Sequence, residues 1–154
     1  MSAKKFQKGA IMLEAAYVLP LILVAMLSIV DAVNYAMDAM QSTQIVQNAY
    51  DVIMSQSQER SVNAAATVTL VKCASGKVDL DTVATQTFIK DGVEKVLGKA
   101  LAPSDTVTVT KWDASPVNSY VIDVNVGSST IFLPESFAFK IHTKGIVSID
   151  YTCN

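Results

Sequence analysis

The chain has 154 residues, room for one domain of ordinary size or a smaller one carrying an extra element, and too few for a multidomain enzyme. Hydrophobic residues make up 51% of it and charged residues only 17%, below the roughly 25% of a typical soluble domain, and the deficit is local: no charged side chain occurs between Ala15 and Val30. Net charge is −2, but Lys4, Lys5 and Lys8 precede every acidic residue, and without them the remaining basic side chains are outnumbered by acidic ones, which excludes a basic surface for nucleic acid.

A basic start followed by an apolar run has the polarity of a secretory signal. The run is longer than the roughly 7 to 15 residues of a signal core, however, and it passes without a small-x-small site into "DAVNYAMDAMQSTQIVQNAYDVIMSQSQ", which still reads as helix. Retained, Ala10 to Val33 makes a helix about 36 Å long, enough to cross a hydrocarbon layer of about 30 Å. The lysines then stay on the cytoplasmic side and the C-terminal portion goes outward. Two residues do not suit an ordinary anchor. Glu14 places a carboxylate on the apolar segment, at a cost of a few kcal/mol unless it lies at the interface or finds a partner. Pro20 removes a helical hydrogen bond and favours a kink.

The stretch "KKFQKGAIMLEAAYVLP" resembles the N-terminus of type IV pilins and pseudopilins, most closely the TadE-like family of tight-adherence pilus systems. In that family a short basic leader ends in glycine, a prepilin peptidase cuts behind it, and a glutamate occupies the fifth mature position. Gly9, Ala10 and Glu14 match those places, and Val18-Leu19-Pro20 followed by leucines continues the pattern. The resemblance covers residues 4 to 35 and thereafter only the layout; the helix after Val30 is richer in Asp and Asn than the family pattern. It implies cleavage after Gly9, with Ala10 as the new N-terminus, methylated or not, and addition to a fibre by a cytoplasmic ATPase and a polytopic platform protein. The implied partners are other pilin or pseudopilin subunits, and the implied location is the inner membrane followed by an extracellular or periplasm-spanning fibre. Glu14 would pair with the terminal ammonium of a neighbouring subunit; either charge left alone in an apolar filament core is costly, so pairing favours one axial register. A minor TadE-like pseudopilin is the leading expectation and the major pilin of another type IVb pilus the alternative, with adhesion a fibre-level role.

Beyond the apolar run, Ile45, Ala49 and Val52 recur at helical spacing, with Val33, Met37 and Met40 before them, so the helix is expected to span 10–57 with the methionines in the core. Residues 58–66 are expected to break it. "TVTLVKC" reads as a strand from Thr67, followed by a turn at Ser75-Gly76. A second helix follows, capped by Asp81, with Ile89, Val93, Val96, Leu97 and Ala100 on one face and Pro103 as its bound. "TVTVTKW" and "YVIDVNV" alternate as strands joined through Ser115-Pro116; Tyr120, Ile122, Val124 and Val126 share a face. In the last stretch Phe137, Phe139, Ile141, Val147, Ile149 and Tyr151 share one parity, and Lys140, His142 and Lys144 the other. Trp112 is expected in the core. The predicted fold is α+β: a basic leader over 1–9, a long helix over 10–57 of which 10–33 crosses the membrane, and a head over 58–154 with a second helix and a three- or four-stranded antiparallel sheet.

Cys73 and Cys153 both lie beyond the apolar run, where a translocated head would be oxidised; a cytosolic chain with two free thiols is the alternative. A bond between them would close a long loop. No catalytic, cofactor or metal site emerges. His142 is the only histidine and sits between two lysines, while Asp79, Asp81 and Asp91 lack the glycine and terminal glutamate of a calcium loop. A non-polymerising membrane protein whose outer domain binds a ligand is the competing class; it would keep Lys4 to Gly9 and have no use for Glu14.

Overall fold

The computed structural model describes residues 3–63, 65–112, 117–132 and 139–153, with side chains from residue 16 onward. The first element is one helix, α1, over Ala3–Val62, about 90 Å long. It outruns the expected 10–57 at both ends. At its C-terminal end Gln58, Glu59 and Arg60 are good helix formers, and the stop comes at Asn63, whose amide donates to Glu59 O at 2.9 Å while its side chain accepts from Ala65 N at 3.0 Å.

The chain then returns along α1. Gln56 Oε1 accepts from Thr69 N and Leu70 N, which holds that segment on the helix and delays the first strand. Strand β1, Val71–Ala74, therefore starts later than Thr67; it pairs with β2, Lys77–Leu80. Their two-residue turn is Ser75-Gly76, both at positive φ, the conformation that matches the twist of a tight hairpin. Helix α2, Thr82–Leu97, is capped by Asp81, whose carboxylate accepts from Ala84 N at 3.0 Å. It buries Thr85, Ile89, Val93 and Leu97 and ends at Gly98 in the left-handed region, so Ala100 lies beyond it and Val96 faces outward.

Strands β3 (Thr106–Trp112), β4 (Asn118–Gly127) and β5 (Lys140–Ile149) form an antiparallel sheet in the order β3-β4-β5. Alternation settles its faces. Val107, Val109, Tyr120, Ile122, Val124, Val126, Ile141, Val147 and Ile149 are buried, while Lys140, His142 and Lys144 are exposed. Helix α1 covers the apolar face at β5, α2 covers it at β3, and the helices also touch each other. The tail after β5 reaches the hairpin: Val78 N donates to Tyr151 O, Cys153 N donates to Gly76 O, and Cys73 and Cys153 are joined by a disulfide.

The stripe that α1 buries in the head is Ser42, Ile45, Val46, Ala49, Ile53 and Ser57, not the one containing Met37 and Met40, both of which are more than half exposed. Apolar residues lie on several sides of α1, and contact with the sheet selects among them. Trp112 is 57% exposed, because it ends β3 on the sheet's uncovered side. Phe139 is also exposed, its ring 5.4 Å from that of Tyr35. Phe137 and the Ser115-Pro116 turn lie outside the described residues.

The approach of α1 to the sheet depends on Gly145. It faces Ile122 across the β4–β5 ladder, and a Cβ there would stand 2.8 Å from Val46 Cγ1. Gly145→Ala is expected to lower stability by about 1–3 kcal/mol through overpacking, and adding Val46→Ala to recover part of that loss, read by urea unfolding in detergent. Cys153→Ser, which opens a loop spanning 80 positions, is expected to cost about 4 kcal/mol in the same assay.

Candidate functional site

Every residue from 16 to 30 is exposed, on all sides of α1. Tyr17, Leu19, Leu21, Leu23, Val24 and Ile29 belong to this sleeve, and burial of each such side chain is worth about 1.5–3 kcal/mol. An uncovered surface of this kind demands lipid or other protein. The segment is long and apolar enough to cross a membrane. Its polar atoms are handled internally: Ser28 Oγ donates to Val24 O at 2.8 Å, and Pro20 lies within the helix without ending it. Gly9, Ala10 and Glu14 lie on the same helix, and their side chains fall outside the described residues.

The sleeve ends at Asp31, where the pattern changes from exposed all round to one buried face. Asp31 is 2% exposed, and its Oδ1 accepts from Ile131 N at 2.9 Å and Phe132 N at 3.4 Å. Two turns on, Asp38 Oδ2 accepts from Ser129 N at 2.6 Å. Both carboxylates therefore grip the backbone of the segment leaving β4, and Lys99 Nζ donates to Ser128 O at 3.2 Å from another side. A buried carboxylate is tolerated when amide donors satisfy it, and such charge-assisted bonds are stronger than neutral ones. Sequence reasoning noted the Asp-rich helix as a departure from the family pattern and missed this role. The available signal was the seven-residue step from Asp31 to Asp38 to Ile45, which keeps all three on one helical face.

Other polar groups hold strands together. Tyr120, buried on β4, donates its hydroxyl to Asp79 and receives Leu80 N, while Lys111 Nζ lies 3.1 Å from Asp79. Burial alone would raise the Asp79 pKa, but the Tyr120 and Lys111 hydrogen bonds outweigh it and hold the carboxyl below its ordinary range. Asp105 behaves likewise: burial opposes ionisation, and Lys140, Ala102 N and Gly127 N together prevail. His142 is exposed and lies 2.9 Å from Asp123. Asp81 is the cap already described. Asp91 lines a groove of about 270 Å³ between α1 and α2, floored by Ile45 and Gly92. Among the described residues no three His, Cys, Asp or Glu side chains are grouped to hold a metal ion.

Comparison of the chain with family models, with curated protein sequences and with solved structures gives no match.

The depressed pKa of Asp105 sets a pH dependence. Its contribution to stability is fully present above the unfolded value near 3.8, declines as pH falls below that value, and is gone once pH passes the lower folded value. Asp105→Asn is therefore expected to lower stability at neutral pH and to make the acid limb shallower, measured by urea unfolding across a pH series.

Proposed function

We propose that the chain is a pilin-like structural subunit, cleaved by prepilin peptidase after Gly9 and assembled through the apolar half of α1. Within that class the reading is a minor TadE-like pseudopilin of a tight-adherence pilus or secretion system. The observation that carries it is the division of one continuous helix: residues 16–30 are uncovered and apolar on every side, whereas the stripe from Ser42 to Ser57 is built into an α+β head. A helix of this kind suits a subunit that waits in a bilayer and later packs against equivalent helices, since both surroundings cover the same surface. The disulfide supports a head that matures outside the cytoplasm.

On this reading the role of Glu14 is electrostatic. It compensates the Ala10 ammonium of an adjacent subunit where neither charge has water, and it sets the axial register of addition. Pro20 leaves one backbone carbonyl of the helix without its usual donor and so offers a local point of bending. The head gives the subunit more than a bare polymerising helix, which suits a minor component that starts or caps a fibre.

The test is intact-mass and N-terminal analysis of the protein from its native membrane, with and without prepilin peptidase. The expected chain begins at Ala10 only when the peptidase is present. Gly9→Val should leave the leader attached, and Glu14→Ala should spare membrane insertion while sharply reducing recovery in sheared fibres. A mature protein that keeps Lys4, Lys5 and Lys8 would make it a permanent anchor, and normal incorporation of the Glu14→Ala variant would remove the role given to Glu14.

A further inference from the structure

The segment after β4 runs down α1 toward the apolar sleeve: Ser129 is tied at Asp38, and Ile131 and Phe132 at Asp31. These two ties are about 10 Å apart along the helix. At the lower one the side chains turn outward, Ile131 64% and Phe132 50% exposed, beside the position where all-round exposure of α1 begins. Val33 on α1 and Phe139, just before β5, are likewise exposed, and Tyr35 contacts the Phe139 ring. Aromatic and aliphatic groups thus collect at one level of the molecule, continuous with the surface that lipid would cover.

We propose that the segment from Ser128 to Phe132 is a second membrane contact of the head, with Ile131 and Phe132 entering the headgroup boundary beside α1 at a depth set by Asp31. The backbone carries the argument. An irregular segment is normally kept out of poorly hydrated surroundings by its unpaired amides. Here the two amides that belong to the outward apolar residues are the ones Asp31 accepts. The segment can therefore present apolar side chains to lipid without bringing bare N–H groups with them. Segments that lie in a bilayer interface bury Trp, Phe and Leu side chains at the same headgroup boundary. The contact would fix the tilt and rotation of the head over the bilayer before any assembly step. The proposal rests on the reading that residues 16–30 of α1 lie in a bilayer.

The test uses the full chain, with Trp112→Phe as background, in vesicles of phosphatidylcholine and phosphatidylglycerol brominated either high on the acyl chain or near its end. Leu23→Trp reports on the helix and Phe132→Trp on the connection, with Ile131→Trp as a second probe and the intact Cys73–Cys153 bond as the check on the head. The expected result is loss of fluorescence from the Leu23→Trp indole in the deeply brominated vesicles and from the Phe132→Trp indole in the shallow ones. Asp31→Ala should weaken the shallow quenching while leaving the deep quenching unchanged. Quenching at Leu23→Trp with none at either connection probe would overturn the second contact and leave the helix in the membrane, making protein the cover of this patch. No quenching at Leu23→Trp would remove the membrane reading and the proposal with it. Undiminished shallow quenching in the Asp31→Ala variant would overturn the part assigned to Asp31.

Discussion

One helix in this protein has to satisfy two surroundings, and the rest of the structure is arranged around the place where they meet. From Ala16 to Val30 α1 offers apolar side chains in all directions, so no single partner face can cover it. From Asp31 onward it offers a stripe, and a sheet with a second helix can be built against that stripe. The change takes place without a break in the backbone, so the hydrogen-bonded rod transmits position from one part to the other. Asp31 and Asp38 are buried carboxylates on the rod, and backbone amides of the segment leaving β4 are brought to them. Rod and head specify each other at that point.

Above the junction, close approach does the work. Gly145 leaves a gap on β5 that Val46 occupies, and Gly92 gives the corresponding clearance for Ile45, with an added Cβ standing 3.1 Å from Ile45 Cγ2. Two glycines on different elements thus let one face of α1 sit tightly against both the sheet and α2. The buried valines and isoleucines of β4 then lie beneath a rigid cover, and the polar pairs at Asp79, Asp105 and Asp123 hold the periphery.

Much of this was legible from alternation and punctuation. Tyr120, Ile122, Val124 and Val126 share a face because a strand repeats every two residues, Asp81 stands before a helix as a cap, and Cys73 and Cys153, both beyond the apolar run, are joined. Met37, Met40 and Trp112 were misplaced for one reason. Periodicity shows that a face exists, but not which face another element covers. The β1 boundary moved because Gln56 competes for Thr69 and Leu70, a tertiary effect invisible in the strand itself. The Asp31 contact joins residues 100 positions apart, beyond the reach of any local rule. The roles proposed for Gly9 and Glu14 rest on resemblance to a family, since neither cleavage nor a contact between subunits leaves a mark within a single chain.

The covalent link between Cys73 and Cys153 also imposes an order in time. It encloses β2, α2, β3, β4 and β5, so it cannot close until the chain has been made past β5. The long helix is made first, and it is complete while the head is still an unclosed thread. Locking of the head is therefore the last step in this order. A chain with a sealed head is one whose β5 is complete, and a free thiol pair distinguishes chains that have not reached that point.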